Sequence, residues 1–244
     1  MADKGRKPKR FYQDASVDAV DVVGGGFAVL LDGRGIKTPG RAPLSLPTRA
    51  LAEAVAEEWQ AQEDEIDLEA MWLTKLANTA LDRVGPRRGE IEAEILNFAG
   101  TDLLCYRAEY PEALRKLQAE KWNPLLDWAA TRFGARLAVT EGILPVAQDD
   151  AALAQLADAI DAVAVFPLTG LHNAVSLMGS LVLGLALLER QIDGEAGFEL
   201  AHLDERWQES QWGQDSEALE RLTRRRAELE RTVVFLGLAA PARS

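Results

Sequence analysis

Residues 27–59, FAVLLDGRGIKTPGRAPLSLPTRALAEAVAEEW, change at Pro47 from the pattern of a β-sheet to that of an α-helix. Before Pro47, apolar and β-branched runs lie between glycines and prolines, which is typical of short strands joined by turns. After it, Thr48 can cap a helix, and one face of that helix carries Leu51, Ala54, Val55, Glu58 and Trp59, with a single charged residue among them. This stretch predicts an α+β protein whose sheet comes first in the chain.

The residues before Pro47 predict a small antiparallel meander. Valines dominate residues 17–23, the apolar run 27–31 lies between glycine-containing turns, and residues 35–39 and 42–47 end at prolines. Because proline lacks the N–H that a sheet ladder needs, such a strand is expected at a sheet edge. Glycines 24–26 precede a strand rather than a helix, so we interpret them as a turn and not as a nucleotide-binding loop.

The residues after Pro47 predict helices almost throughout. A second helix is expected over 71–84, and Gly85-Pro86 then interrupts the pattern. We therefore predict a β-rich domain over 1–85, beginning with a flexible basic arm at 1–10, and an all-helical domain over 86–244. Helices of the second domain are expected at 88–98, 111–134, 151–163, 169–192, 198–212 and 215–238, with a strand-like interruption at 136–146.

Residues 175–188, VSLMGSLVLGLALL, are the best candidate for a membrane segment. They fall short of the ~20 residues that a helix needs to cross a bilayer, so we interpret them as a buried central helix and expect no membrane insertion. Ser176, Ser180 and Gly184 recur at every fourth position. This spacing predicts a stripe of small side chains that lets a neighbouring backbone approach closely.

The composition excludes several classes of function. The 244 residues include 39 acidic and 27 basic side chains, for a net charge of −12. This charge opposes binding to nucleic acid, which needs a basic field, and to anionic membranes. One cysteine and two histidines leave little material for a disulfide or a metal site. We therefore expect no metal and no cofactor, and the sequence has no ATP-binding motif.

Two functional alternatives arise from the charged residues. An acid–base hydrolase could use Glu141, Asp215 or Glu217 together with His172 or His202, although no nucleophile motif accompanies them. Cys105 lies among apolar neighbours and is interpreted as a buried thiol. A scaffold could instead bind a basic partner through the acid-rich stretch 53–69, which is otherwise interpreted as a solvated acidic face.

A tryptophan-containing corner near the C-terminus offers a third possibility. Trp207 is followed by Trp212 and Gly213, which can end a helix, and then by Asp215 and Glu217. Asp215 or its neighbour can cap the next helix, and Glu217 would stand in its first turn, where the helix dipole favours an anion. Helix capping explains this pattern completely, but aromatic anchors surrounded by charge also indicate a binding surface.

Short motifs in a fixed order resemble those of the F1-ATPase assembly chaperones that act on the α subunit. The resemblance extends from about residue 10 to residue 238. It is carried by Arg10-Phe11-Tyr12, Asp102-Leu103-Leu104-Cys105-Tyr106-Arg107-Ala108, Trp122-Asn123-Pro124, Val139-Thr140-Glu141-Gly142 and Trp212-Gly213-Gln214-Asp215-Ser216-Glu217.

This resemblance implies a non-enzymatic, ATP-independent chaperone with a small β-rich domain followed by a helical one. Its partner would be free ATP synthase α subunit, whose β-facing interface it shields until the β subunit displaces it. The family's acidic residue needed for activity is carried onto Glu217, with Asp215 next. The partner-binding residues expected are Trp207, Trp212, Gly213, Asp215 and Glu217. Lacking a long presequence, the chain resembles a bacterial, cytoplasmic member or a processed eukaryotic form from the mitochondrial matrix, and we expect a monomer.

Overall fold

The computed structural model describes residues 7–20, 25–142, 144–212 and 216–240, without the side chains of Ser216 and Ala218. Within this part of the chain, contacts define two compact units. The first comprises residues 7–87, 165–169 and 234–240, and the second comprises residues 88–164 and 170–233. These units describe contacts within the folded chain, so the domains 1–85 and 86–244 stay a prediction.

An antiparallel sheet in the first unit is built around one central strand. The strands are β1 (Ala15–Ala19), β2 (Phe27–Leu31), β3 (Arg34–Gly35) and β4 (Ser45–Leu46). β1 pairs with β2 along its whole length, while β3 and β4 pair with opposite ends of β2 on its other edge. The predicted antiparallel sheet is thus confirmed.

The predicted strand at 35–39 is too long. β3 is only two residues because the chain turns at Thr38, whose N–H donates to the Ala42 carbonyl at 2.9 Å and whose carbonyl accepts from the Arg41 N–H at 2.8 Å. The first strand also differs from its prediction at 17–23, since it begins at Ala15 and ends at Ala19. Residues 21–24 lie outside the described residues.

One helix packs on this sheet and completes the core of the first unit. α1 (Arg49–Gln60) begins where the sequence predicts it, because the Thr48 hydroxyl accepts a hydrogen bond from the Leu51 N–H at 3.1 Å. Leu51 and Val55 are fully buried in one cluster with Val29 and Leu46. α2 (Trp72–Thr79) follows and continues as a π-helical turn, Ala80–Val84.

The rest of the chain is largely helical, which confirms the α+β class. The helices are α3 (Arg88–Gly100), α4 (Glu112–Phe133), α5 (Asp150–Asp161), α6 (Val165–Met178), α7 (Leu181–Leu188), α8 (Gly194–Ala201), α9 (Leu203–Trp212) and α10 (Ser216–Ala239). A 3₁₀ turn, Leu103–Cys105, precedes β5 (Tyr106–Arg107), which pairs in parallel with β6 (Thr140–Glu141). The strand-like interruption at 136–146 is therefore real but short.

Two of the predicted helices are in fact pairs of helices. The predicted helix 169–192 breaks because Gly179 takes a positive φ of 69° and ends α6. Ser180 then caps α7, its hydroxyl accepting from the Leu183 N–H at 3.0 Å. The predicted stripe of small residues is consequently wrong, since Ser176 is exposed and Ser180 lies between the helices. The predicted helix 198–212 likewise divides into α8 and α9 at His202.

Part of the predicted basic arm is held in place. Lys7 forms an ion pair with Asp67 at 2.8 Å, and the Pro8 carbonyl accepts from the Ile66 N–H at 2.8 Å. The Arg10 N–H donates to the Asp64 carbonyl at 2.9 Å. Residues 7–10 are therefore not a free arm, and residues 1–6 lie outside the described residues.

Gly184 allows α6 and α7 to pack closely within the second unit. A Cβ on this residue would overlap the Val175 side chain and lie 3.0 Å from Leu171. Both neighbours are fully buried, so neither side chain can move into solvent. A close approach between neighbouring helices is therefore present at Gly184, although the predicted stripe of small residues is not.

We expect Gly184→Ala to lower the free energy of unfolding by about 1–3 kcal/mol, because the added methyl overpacks the α6–α7 contact. Gly237→Ala is the matched control, since Gly237 lies in α10 with no atom near its Cβ position. The control should raise stability by about 0.5–1 kcal/mol through helix propensity. Urea denaturation of both variants measures the difference, and a Gly184→Ala protein as stable as the wild type would contradict this packing.

Candidate partner-binding site

Two tryptophans on α9 form an exposed aromatic pair. Trp212 has 78% of its surface exposed, whereas Trp207 is half-buried. The rings meet edge to face, with centroids 6.4 Å apart. Tryptophan is enriched among the energetic anchors of protein interfaces, and it is highly buried on average in folded proteins.

A shallow cleft lies directly beside this pair. It has a volume of about 340 Å³ and is lined mainly by apolar surface from α4, α8 and α9. We call it the tryptophan cleft, lined by Leu117, Lys121, Glu199, Leu200, Leu203, Arg206, Trp207 and Ser210. An apolar floor with charged groups at the rim suits an apolar side chain of another protein.

The tryptophans were predicted from the sequence, but the floor of the cleft was not. Leu200, Leu203 and Trp207 are spaced i, i+3 and i+7, which is the pattern of one helix face and could have indicated it. The division between α8 and α9 falls within this run, but it leaves all three residues at the cleft. Leu117 comes from α4, far away in the sequence, and carried no local signal.

The structure brings together only part of the predicted site. Trp207 and Trp212 contact each other, while Gly213 and Asp215 lie outside the described residues. Glu217 is exposed in the first turn of α10, where the helix dipole stabilises a negative charge. The predicted placement of Glu217 at a helix N-terminus is thus confirmed, and its role in binding stays a prediction.

A buried amide positions α9 against α4. Gln118 is fully buried, and its amide nitrogen donates to the Asp204 carboxylate at 2.7 Å. Its amide oxygen accepts from the Ala108 N–H at 2.7 Å. Burial raises the pKa of Asp204 above its ordinary value, although the hydrogen bond from Gln118 opposes this shift. Next to this contact, the Trp122 indole donates to the Leu200 carbonyl at 3.0 Å.

An arginine holds α10 to α8 through a glutamate that lines the cleft. Arg226 contacts both carboxylate oxygens of Glu195, at 2.6 and 2.5 Å, and Glu199 at 2.6 Å. Arg206 of α9 donates to the same Glu199 carboxylate. Burial raises the pKa of Glu199, but the two guanidinium groups outweigh it and hold the pKa below its ordinary value. The Glu199 carboxylate is therefore held by ion pairs with these two arginines.

The motif at residues 102–107 is structural. Asp102 is completely buried, and its carboxylate accepts from the Ser180 hydroxyl at 2.7 Å, the Leu104 N–H at 3.0 Å and the Val182 N–H at 3.1 Å. Arg107 donates to the Leu104 carbonyl and to the Asn123 side chain, the latter at 2.8 Å. Its guanidinium also lies over the Trp122 ring, 5.0 Å from the centroid.

Three residues of the hydrolase alternative have separate structural contacts. His172 contacts Glu94 at 3.1 Å, whereas His202 is buried and stacks on Phe198, 4.2 Å between centroids. Glu141 forms an ion pair with Arg115 at 2.8 Å.

Cys105 is buried as predicted, and burial, aided by the charge of Asp102, raises the pKa of its thiol to about 12. Within the described ranges, no cluster of histidine, cysteine and acidic side chains could hold a metal ion.

The acid-rich stretch 53–69 is only partly a solvated face. Glu58, predicted as the charged exception on α1, caps α2: its carboxylate accepts from the Leu73 and Thr74 N–H groups at 2.7 and 2.8 Å. Asp67 and Glu69 pair with Lys7 and Lys75, respectively.

Among the residues that the structure covers, no helix is long and apolar enough to cross a membrane.

An α+β chain with an exposed tryptophan pair beside an apolar cleft has the features of a protein-binding factor. The sequence model of the ATP12 chaperone protein family matches residues 9–130. The chain belongs to this family of non-enzymatic chaperones for ATP synthase assembly. The resemblance inferred from the short motifs is therefore confirmed.

Solved structures agree over almost the whole chain. Atp12 from Paracoccus denitrificans is 44% identical, with 96% of this chain and 99% of that chain covered and a TM-score of 0.91. An aspartate-to-lysine mutant of the Paracoccus protein is 43% identical, with coverage of 96% and 98% and a TM-score of 0.92. A protein described as a candidate chaperone from Agrobacterium tumefaciens is 41% identical, with coverage of 95% and 86% and a TM-score of 0.86.

We expect burial of Asp102 to make stability depend on pH. Burial raises the pKa of Asp102 to about 6, against the hydrogen bonds from Ser180 and Val182, so the folded state binds its proton more tightly than the unfolded chain does. Between about pH 4 and pH 6 this group therefore reduces the free energy of unfolding as pH rises, by an amount on the order of 2 kcal/mol.

Urea denaturation of the wild type and of Asp102→Asn across this pH range isolates that contribution. The wild type should lose stability relative to Asp102→Asn as pH rises, whereas Asp127→Asn, a change at an exposed position of α4, should follow the wild type. Parallel curves for the wild type and Asp102→Asn would show that burial of the carboxylate has no such effect.

Proposed function

We propose that this ATP12 chaperone binds the free α subunit of F1 ATP synthase and shields its β-facing interface until the β subunit takes its place. The observation that carries the proposal is the exposed pair of Trp212 and Trp207 beside the tryptophan cleft, in a member of this family. An apolar side chain from the client would enter the cleft, and Trp212 would cover it.

The physical need for such a factor follows from subunit assembly. A subunit of an obligate hetero-oligomer exposes an apolar interface before its partner arrives, and exposed apolar patches promote aggregation. A chaperone that binds this interface more weakly than the final partner is displaced by competition. Release then requires no ATP.

Charge supports a basic client surface. In the F1 machines, the α interface contributes an arginine to the neighbouring catalytic site, as the family resemblance implies. The chain carries a net charge of −12. On α9, Glu205, Glu209 and Trp212 share one face by their spacing of four and three residues. Within the described chain, Glu205 and Glu209 form no ion pair, so both remain available to a basic patch.

Glu217 extends this acidic surface onto α10. Its side chain is exposed in the first turn of the helix, where the helix dipole favours a negative charge. Asp215 belongs to the same proposed patch and lies outside the described residues. One chaperone molecule suffices to cover one interface, so we propose a monomer. The bacterial relatives support the cytoplasm of a bacterium as the place of action.

Size-exclusion chromatography with light scattering tests the proposal directly. The chaperone is mixed with freshly refolded α subunit, and β is then added. We expect a one-to-one complex that dissociates as β joins α. Aggregation of α despite the chaperone, with no complex detected, would overturn the proposed function.

We expect Glu217→Lys to abolish α binding. The change places a positive charge at the N-terminus of α10, opposite the proposed basic patch of the client. Glu220→Lys is the matched control, since Glu220 is also an exposed glutamate of α10 and undergoes the same charge change. Isothermal titration with α measures both affinities, and circular dichroism verifies the fold. Equal affinity for the two variants would remove Glu217 from the binding surface.

Trp212→Ala should weaken α binding about 30-fold or more, since an interface anchor contributes about 2 kcal/mol or more. Phe11→Ala provides the control: Phe11 is an aromatic of similar exposure, 73%, in the first unit. The control should retain wild-type affinity in the same titration. If Phe11→Ala weakened α binding more than Trp212→Ala, the binding anchor would lie in the first unit instead.

A further inference from the structure

The outer edge of β1 has backbone groups that face away from the sheet. The Val20 N–H donates to the Gly26 carbonyl at 3.0 Å, and the Asp14 carbonyl accepts from the Asp32 N–H at 3.0 Å. Hydrogen-bonded pairs alternate along an antiparallel ladder. The backbone N–H and carbonyl groups of the even-numbered residues of β1 therefore point toward β2. The backbone groups of Ala15, Val17 and Ala19 therefore point outward.

Nearby side chains accept hydrogen bonds from the backbone N–H groups at the two ends of this edge, but not from the one in the middle. The Ala15 N–H donates to the Gln60 side chain at 2.8 Å, and the Ala19 N–H donates to the Asp18 carboxylate at 2.9 Å. In the part of the chain that the structure describes, the N–H and carbonyl of Val17 have no partner. Such an edge is a template on which another extended chain can add a strand.

A groove runs between this edge and α1. Its volume is about 300 Å³, with Ala15, Ser16 and Val17 on one side and Arg49, Glu53, Ala56, Glu57 and Gln60 on the other. Val17 and Ala56 provide apolar surface within it. A strand added beside β1 would direct alternate side chains toward α1, into this groove.

The acidic side chains of the groove favour a partner with basic side chains. Glu53 and Glu57 are exposed, and Glu53 pairs with Arg49 at 3.2 Å in a solvent-exposed contact of little strength. Glu57 forms no ion pair in the described residues. A second copy of this acidic chain would bring its own glutamates to the same edge, which opposes self-pairing. A segment with apolar and basic side chains fits instead.

We propose that an extended segment of the client, with alternating apolar and basic residues, adds to the sheet as a strand beside β1. Val17 exchanges two backbone hydrogen bonds with it, an apolar side chain packs on Val17 and Ala56, and a basic side chain pairs with Glu57. This inference rests on the proposed function, in which the client is the free α subunit. It gives the client a second contact, and two linked contacts increase the overall affinity of the complex.

Hydrogen–deuterium exchange resolved to single amides tests the added strand. In the complex with α, exchange at the Val17 amide should slow tenfold or more relative to the free chaperone. Val17→Pro removes this outward N–H without removing a bond to β2, and proline is tolerated at a sheet edge. We expect it to keep a native dichroism spectrum and to bind α at least tenfold more weakly.

A charge variant decides the question if Val17→Pro does not fold. Glu57→Lys should weaken α binding by a similar factor, while Glu63→Lys, an exposed glutamate outside the groove, should bind like the wild type. A complex that forms with unchanged exchange at Val17 and unaffected variants would overturn the added strand but leave the proposed function intact. No complex would overturn both, and a chaperone dimer abolished by Val17→Pro would assign the edge to self-pairing.

Discussion

The buried carboxylate of Asp102 determines how the second unit is joined together. A charge taken out of water is stable only when its lone pairs are used, and here the hydroxyl of Ser180 and the N–H groups of Leu104 and Val182 use them. The 3₁₀ turn is thereby fixed to the first turn of α7. Loss of any one partner would leave a polar group unsatisfied in the interior, so this part of the fold permits little rearrangement.

From this point a chain of partly buried polar contacts leads to the tryptophan cleft. Arg107 follows the 3₁₀ turn and joins it to α4 through Asn123, while Gln118 joins α4 to Asp204 on α9. Trp122, beneath the Arg107 guanidinium, reaches the Leu200 carbonyl at the floor of the cleft. The motif residues Asp102, Arg107, Trp122 and Asn123 therefore do not bind the client themselves in the proposed function. They fix the helices that present Trp207 and Trp212.

Local signals in the sequence predicted most elements, whereas contacts between distant residues were missed. Thr48 and β2 are recognisable because capping and strand patterns lie within a few neighbouring residues. The break between α6 and α7 was missed because Ser180, with Ser176 and Gly184, also suits a small-residue helix face. The hydrogen bond that Ser180 donates to Asp102 joins residues 78 positions apart, which no local pattern encodes. Trp212 was predicted as a binding residue from the charged residues around it in the sequence. The cleft needs Leu117 and Leu200 to meet, which no local pattern encodes.

The proposed hand-over of the client depends on contacts that are exposed rather than buried. Trp212 is mostly solvated before binding, and the acids of α9 and the first turn of α10 lie at the surface, where salt screens them. Exposed charges increase the rate of encounter more than they increase affinity. An acidic chaperone would thus capture a basic interface quickly and hold it only moderately. In the proposed mechanism, the β subunit would then displace the chaperone by forming the larger, obligate interface with the client.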